Sequence, residues 1–337
     1  MPPGAAPTDR TRWQTARHRA GQHGGHYESW FLRANHPTRR EGFWIRYTIF
    51  APGGRPADAI GELWAIHFDG ESGRIAAGKA EVPIARCRFS ETDLDVAIDG
   101  ATLAGSRLRG AVTTPAAITW DLRYEGGGAP LLFLPESLYD ARLPRAKAVT
   151  PRPLVRFSGT LAVEGRTIVV DDWLGSENHN WGSQHTDSYA WGQVAGFDGE
   201  PTAFLEVATA QVRLGPFWTP RMTLLVLRIG NDEIRLNGLA TSLRARAHWG
   251  WFHWSFDTRE RTVGRVRGTI RASPDDFVGL TYYDPPGGTH QCLNSKIAAC
   301  EIVVERPGRP PRTLRTAARA AFEILTDADD HGVRVVL

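Results

Sequence analysis

The sequence predicts an all-β protein made of two antiparallel barrels, with a short helix near the C-terminus. Segments in which β-branched and aromatic residues alternate with polar ones dominate from about residue 40 onward. Gly, Pro and Asp separate these segments at short intervals, which is typical of barrels and sandwiches. A chain of 337 residues is also long enough for about two domains that each bury a core.

The strand-like segments occur in both halves of the chain. The first half contains 42–50, 60–68, 117–124 and 154–163. The second half contains 202–208, 222–228, 233–237, 249–256, 262–270 and 300–305. Helical patterns are confined to 313–325, which we expect to form the short C-terminal helix, and to the stretch 135–140.

The chain divides into a leader and two predicted domains. Residues 1–24 lack the apolar core of a secretory signal, so we expect a flexible leader, with the basic run 10–19 as a solvated tail. The Pro- and Arg-rich stretch 143–153 predicts a domain boundary. The expected domains are therefore an N-terminal barrel over 25–150 and a C-terminal barrel over 151–337.

Composition narrows the possible functions. No apolar run reaches roughly 18 residues, so we expect no membrane-spanning helix. Cys87, Cys292 and Cys300 are odd in number and lack metal-ligand spacing, which favours a reducing cytoplasm and argues against disulfides and zinc. The net charge is only +3 and the arginines are scattered, so nucleic-acid binding has little support.

The segment 176–193 concentrates ionisable and aromatic residues in predicted strand. Because residues i and i+2 of a strand share a face, His179 and Trp181 point the same way, and so do Tyr189, Trp191 and Gln193. Turn-forming residues lie between the two groups. We therefore expect a hairpin that brings His179 and Trp181 close to Tyr189 and Trp191.

Four segments together resemble the tandem-lipocalin superfamily of AttH-type proteins, carotenoid 1,2-hydratases, tocopherol cyclase and lipocalin-like Diels-Alderases. They are 28–35, 42–50, 179–182 with 189–192, and 292–298. The resemblance implies two lipocalin-like β-barrel domains packed together, with a cavity for isoprenoid, polyene or other apolar molecules. It also implies no metal and no redox cofactor. In lipocalin first strands a Gly-x-Trp signature places the Trp at one end of the barrel, so we expect Trp44 to be structural.

The resemblance also suggests catalytic residues. The hydratases carry a His-x-Trp pair with a Tyr and an Asp further on, and His179 and Trp181 match that pair. At the distance of the Asp this chain has Glu206, without an accompanying Tyr. A Glu in an apolar strand is kept protonated by desolvation and can act as a general acid. We therefore expect His179, Glu206 and Tyr189 to handle protons.

The expected ligand-binding residues are mostly aromatic. They are Trp181, Trp191, Gln193, Trp64 and Trp251. Each candidate has a purely structural alternative, since the aromatic residues can be plain core. His179 can be a buried histidine bonded to backbone, and Glu206 can face solvent.

Three functions remain open. The first is a cofactor-independent enzyme, similar to a hydratase, cyclase or isomerase, that acts on an isoprenoid, polyene or polyketide-like molecule in an aromatic-lined barrel cavity. The second is a non-catalytic carrier or sensor of a lipid or terpenoid, because an eight-stranded barrel holds one small ligand without chemistry. The third is a structural module with closed barrels. The expected partner is a hydrophobic small molecule, with peripheral membrane contact as an open route for its access.

Overall fold

The computed structural model describes residues 10–337 and contains two large antiparallel sheets. The first sheet joins eleven strands in the order β4-β3-β2-β1-β12-β11-β9-β8-β7-β6-β5, with β10 beside β11. Their bounds are β1 His26–Asn35, β2 Glu41–Ala51, β3 Ile60–Asp69, β4 Arg74–Pro83, β5 Cys87–Phe89, β6 Asp95–Ile98, β7 Ala101–Ala104, β8 Arg107–Val112, β9 Ile118–Gly126, β10 Leu131–Leu132, β11 Ala146–Val163 and β12 Arg166–Gly182.

The second sheet has the order β18-β17-β14-β13-β24-β23-β21-β20-β19, with β22 beside β23. Its strands are β13 Ser188–Phe197, β14 Glu200–Gln211, β17 Met222–Ile229, β18 Asp232–Leu236, β19 Arg246–Gly250, β20 His253–Glu260, β21 Gly264–Arg271, β22 Val278–Tyr283, β23 Thr289–Glu305 and β24 Arg312–Thr326. A small separate hairpin consists of β15 Arg213–Leu214 and β16 Phe217–Trp218.

Helical structure is sparse, which confirms the all-β class with a short helix. The α-helix of the described chain is α1, Leu239–Arg244. Single 3₁₀ turns span Thr11–Trp13, Pro56–Asp58, Ile84–Arg86, Glu136–Leu138 and Pro274–Asp276. No helix within residues 10–337 is long and apolar enough to cross a membrane.

The first sheet curls into a nearly closed barrel. At its open side, Lys79 N donates to Thr114 O at 2.8 Å and Ala116 N donates to Ala77 O at 3.1 Å, so β4 meets the chain that follows β8. Aromatic and aliphatic side chains from alternate strand positions fill the interior, including Trp30, Tyr47, Phe157 and Trp120. The interior of the second sheet is filled in the same way. Packed side chains occupy much of these interiors, and the aromatic-lined cavity inside a barrel stays a prediction.

The predicted C-terminal helix at 313–325 is also wrong. Residues Arg312–Thr326 form β24, which is hydrogen-bonded to β13 on one side and β23 on the other. Ala320, Phe322 and Ile324 alternate into the core of the second sheet, whereas Glu323 points to the opposite face. Pairing on both edges of the strand outweighs the helix propensity of its alanines.

The described part of the predicted leader packs against the first sheet. Residues 1–9 lie outside the described residues, but residues 10–18 form a strap across the mouth of the first barrel. Trp13 is buried, Ala16 N donates to Ser90 O, and Trp30 Nε1 donates to Gln14 O at 2.7 Å. The basic run therefore packs against the barrel instead of forming a solvated tail.

The two sheets divide later than the boundary predicted at residue 150. Strands β11 and β12 belong to the first sheet, and the second sheet starts at Ser188. The sheets pack face to face, so β1, β2 and β12 are covered on both sides, as are β13, β14 and β24. Side chains between the sheets come from the outer faces of these strands, and they include most of the candidate site.

Candidate functional site

The predicted hairpin over 176–193 is wrong, although the predicted faces are right. β12 pairs with β1 and β11 in the first sheet, whereas β13 pairs with β14 and β24 in the second. The chain crosses from one sheet to the other over residues 183–187. His179 and Trp181 therefore point into the mouth of the first barrel, whereas Tyr189, Trp191 and Gln193 lie on the outer face of the second sheet.

His179 is a fully buried member of a hydrogen-bonded cluster. Its Nδ1 lies 2.8 Å from Trp13 O and its Nε2 lies 2.8 Å from Glu28 Oε1. Its ring stacks on Trp30 and contacts Trp181, each with a centroid distance of 4.8 Å. Both ring nitrogens contact protein groups, an arrangement that matches the structural alternative for His179, and its catalytic role stays a prediction.

Glu28 holds the strap on the barrel. Its carboxylate accepts hydrogen bonds from Arg17 N at 2.8 Å and His18 N at 2.9 Å, and it also contacts His26 and His179. Burial alone would raise the pKa of this carboxyl, but the bonds from His179 and His26 lower it to about 2. Glu28 is therefore ionised and fully partnered. No sequence pattern marks Glu28 as a site residue, since only the register between β1 and β12 places it opposite Trp181.

Glu206 has the opposite electrostatic environment. It is 3% exposed on β14 and faces the first sheet, not solvent. Thr150 Oγ1 donates to its Oε2 at 2.8 Å, and Trp191 Nε1 donates to its Oε1 at 3.3 Å. Burial raises its pKa to about 7, and these two neutral donors offset only part of the effect. The carboxyl can therefore gain or lose a proton near neutral pH.

Beside Glu206 lies a closed ring of hydrogen bonds that joins the two sheets. Ser176 Oγ donates to Gln193 Oε1 at 2.7 Å, Gln193 Nε2 donates to Asn178 Oδ1 at 2.7 Å, and Asn178 Nδ2 donates to Ser176 Oγ at 2.9 Å. Thr150 links this ring to Glu206. Gln193 is fully buried and its amide is already bonded, so it positions the ring and leaves no free group for a ligand.

Two aromatic side chains beside Glu206 keep partial exposure, which indicates space between the sheets at this point. Phe31 and Tyr189 are only half-buried, although β1 and β13 have strands on both sides and both side chains face the opposite sheet. Trp191 contacts Phe31 at a centroid distance of 6.0 Å. We call this space, lined by Phe31, Tyr189 and Trp191, the inter-sheet gap. Burial, Cys292 and Glu323 all raise the pKa of Tyr189 well above its ordinary value, so its hydroxyl stays protonated.

Buried charges flank the inter-sheet gap, and the sequence analysis missed them. Lys296 Nζ donates to Glu323 Oε1 at 2.7 Å and to Asn294 Oδ1 at 2.6 Å, and it lies 5.7 Å from the centre of the Trp191 ring. Lys296 lies in the segment 292–298, one of the four that resemble the tandem-lipocalin superfamily. A single Lys in a strand, however, does not indicate whether its side chain is buried. Glu323 was not predicted to lie at the site because its segment, 313–325, was predicted as a helix.

The remaining predicted residues lie apart from Glu206. Trp64 is on the outer face of β3, where Lys79 Nζ lies 4.1 Å from its ring centre. Trp181 contacts Tyr139 at the barrel mouth, at a centroid distance of 5.9 Å. Trp251 lies in the turn between β19 and β20 and contacts His331. The structure thus brings together Glu206, Trp191 and Gln193 with Tyr189 nearby.

A surface groove of about 970 Å³ lies elsewhere, between the edge of β4 and the C-terminal residues 332–336. None of the predicted site residues line it. Its walls carry mixed charges from Asp69, Arg74, Arg166 and Asp275. Within residues 10–337, no three His, Cys, Asp or Glu side chains form a group that could hold a metal ion.

Comparison with solved structures identifies the fold. The chain is similar to an AttH-type protein of Nitrosomonas europaea, with a TM-score of 0.59 at 15% identity, over 97% of this chain and 98% of the other. Kievitone hydratase of Nectria haematococca matches with a TM-score of 0.56 at 12% identity, over 90% of each chain. CghA in complex with Sch210972 matches with a TM-score of 0.58 at 11% identity, over 90% of this chain and 88% of that one. The chain therefore has the lipocalin-like fold that the sequence resemblance implied.

Sequence comparison adds relatives from Mycobacterium tuberculosis. The protein Rv0493c of Mycobacterium tuberculosis strain H37Rv, described as uncharacterized, is 29% identical over 318 residues. The match covers 91% of this chain and 88% of the relative. No protein-family model matches the chain.

Proposed function

We propose that this protein is a cofactor-independent enzyme that transforms a small hydrophobic molecule in the inter-sheet gap, with Glu206 as its proton-transfer group. The observation that carries the proposal is the Glu206 carboxyl, which is buried between the sheets, bonded only to neutral donors, and has a pKa raised to about 7. A general acid or base works best when its pKa is close to the working pH.

The surroundings of Glu206 fit proton transfer to an apolar substrate. Thr150 holds Oε2, while the bond from Trp191 to Oε1 is long at 3.3 Å, so Oε1 is the oxygen available to a substrate. Phe31 and Trp191 supply apolar surface in the gap, and the protonated hydroxyl of Tyr189 can donate a hydrogen bond. Our proposal assigns proton transfer to Glu206 and not to His179, whose nitrogens both contact protein groups.

The solved structures with this fold include a kievitone hydratase and CghA, a lipocalin-like Diels-Alderase. This supports hydration, cyclisation or a related rearrangement as the class of reaction. The fold hosts several chemistries, so residues and not fold must identify the reaction. Trp191 alone could stabilise a developing carbocation, but Lys296 already places a positive charge 5.7 Å from the same ring. Lys296 would therefore repel a substrate carbocation at this position.

The test combines native mass spectrometry with product analysis. Wild-type protein and the Glu206→Gln variant are each incubated with an isoprenoid and polyene extract of the host organism. A product heavier by one water indicates hydration, and a new species of unchanged mass indicates cyclisation or isomerisation. We expect product from the wild type only. Glu301→Gln serves as the control, since Glu301 is an exposed strand residue paired with Arg315.

If wild type and the Glu206→Gln variant both bind a molecule and return it unchanged, the protein is a carrier and the enzyme proposal is wrong.

Access to the inter-sheet gap from a membrane surface remains part of the proposal. The side chains of Phe217 and Trp218 on β16 are 74% and 48% exposed, which suits a shallow contact with lipid. Cytoplasmic location is likewise proposed.

A further inference from the structure

Two buried tryptophans near the inter-sheet gap have hydrogen-bond donors without acceptors. Trp44 on β2 and Trp64 on β3 are each 1% exposed, and the Nε1 of each has no partner among the described residues. Buried N–H groups are nearly always paired, so an unpaired one needs an explanation. From the Gly-x-Trp pattern, Trp44 was expected to pack at one end of the barrel. It instead lies on the outer face of β2, against the second sheet.

A buried arginine lies beside these tryptophans. Arg46 is 4% exposed, and its Nε and Nη2 donate to the same neutral atom, Ser29 Oγ, at 2.9 and 2.7 Å. Its guanidinium lies 4.5 Å from the Tyr282 ring centre and 5.8 Å from that of Trp44. No described carboxylate forms an ion pair with it. A buried charge normally has an ionic partner, because desolvation of an unpaired charge is costly.

The charges between the sheets do not balance. Lys296 also lies over Trp44, at 5.6 Å from the ring centre, and its carboxylate partner is Glu323. Arg33 is fully buried and bonds to Gln193, Asn35 and a backbone carbonyl, with no carboxylate in contact. Glu62, the other buried carboxylate near Arg46, is already paired with Lys79. Arg33 and Arg46 therefore have no carboxylate in direct contact among the described residues. An additional negative group would satisfy the unpaired donors and balance the charge.

We infer that the end of the inter-sheet gap next to Trp44, Trp64 and Arg46 binds the anionic group of the ligand, a carboxylate or enolate attached to an apolar body. This inference rests on the proposed function, because it places the ligand in the same gap. The indole N–H groups donate to the anionic oxygens and the guanidinium supplies the counter-charge. The apolar body then extends along Phe31 and Trp191 toward Glu206.

The inferred charge also favours one kind of intermediate. Arg46 and Lys296 stabilise negative charge that develops on a substrate in the gap, as preorganised cations do in other enzymes. Glu206 then removes or returns a proton, and the electron pair left on carbon is delocalised onto the enolate oxygen. Neither oxidant nor reductant is needed. The substrate class is therefore a hydrophobic molecule that carries a carboxylate or an enolisable carbonyl.

The experiment compares two probes that differ only in charge, 2-naphthoate and 2-naphthamide, by isothermal titration calorimetry. We expect wild-type protein to bind the naphthoate about tenfold or more tightly than the amide, as charge-assisted hydrogen bonds allow. Arg46→Met should bring the two affinities within about twofold of each other. Arg123→Met is the matched control, because Arg123 also donates to a serine hydroxyl, that of Ser158, but on the exposed surface. The Arg123→Met variant should still bind the naphthoate more tightly than the amide.

Circular dichroism in the near ultraviolet checks that each variant folds. If Arg46→Met does not fold, Trp44→Phe replaces it, since this change keeps an aromatic ring and removes one unpaired N–H. Trp44→Phe should weaken naphthoate binding more than amide binding, because the N–H donates more strongly to a carboxylate than to a neutral carbonyl. Equal affinity of the wild type for the two probes, or no naphthoate binding, overturns the inference. The proposed function fails separately, because probe binding does not require Glu206 and turnover does.

Discussion

Replacing Glu206 with Gln should change how the stability of the protein depends on pH. The pKa of this carboxyl is about 7 in the folded protein, against an ordinary value of 4.5. Between these two values the folded chain keeps a proton that the unfolded chain releases, so rising pH favours unfolding. The difference corresponds to about 3 kcal/mol of stability present below pH 4.5 and lost by pH 7 and above. Gln has no titratable proton, so the Glu206→Gln variant should not lose stability in this way as the pH rises.

The assay is urea unfolding of wild type, Glu206→Gln and Glu301→Gln at several pH values from 5 to 8. Other buried carboxyls with raised pKa values, such as Glu62 and Glu177, titrate in all three proteins, so their contributions cancel in the comparison. We expect the wild type to lose stability with rising pH relative to Glu206→Gln, and Glu301→Gln to follow the wild type. Parallel curves for all three proteins would refute the assignment of a buried, unpaired carboxyl.

Two further predictions concern the first sheet. Glu28→Gln should lower the free energy of unfolding by about 1 to 3 kcal/mol, because the backbone N–H groups of Arg17 and His18 and the ring of His179 lose a charged acceptor; chemical denaturation at pH 7 measures this, and an unchanged midpoint would contradict it. Gly175→Ala should prevent β1 and β12 from pairing, because its Cβ would lie 1.9 Å from the backbone oxygen of Arg33. Gly24→Ala, with open space around its Cβ, is the control, and equal melting temperatures of the two variants would contradict this account.

Strand periodicity predicted which side chains share a face but not which strands pair. His179 with Trp181, and Tyr189 with Trp191, do share faces, because alternation is a property of a single strand. The hairpin failed because residues 183–187 look like a tight turn, whereas they carry the chain from one sheet to the next. A sequence window cannot distinguish these two cases, since the partner strands β1 and β24 are distant in the chain.

Burial between the sheets was the other feature that the sequence did not reveal. Glu206 was a candidate because it interrupts an apolar strand, and β14 proved to be covered on both faces. Arg46 alternates with Ile45 and Tyr47 as a solvent-facing residue of an ordinary barrel strand would. Only the packing of the second sheet turns that outer face into an interior. Glu206, for which a solvent-facing position was the structural alternative, instead lies buried beside the inter-sheet gap.

The dependence of turnover on pH in wild type and Glu206→Gln tests the central claim most directly. Once product analysis has identified a substrate, initial rates are measured from pH 5 to 9, with Glu301→Gln as the control. We predict that the wild-type rate follows an ionisation near pH 7, and that Glu206→Gln is slower by about a hundredfold or more without that ionisation. A variant that matches the wild type in rate and pH profile would contradict the claim that Glu206 transfers the proton.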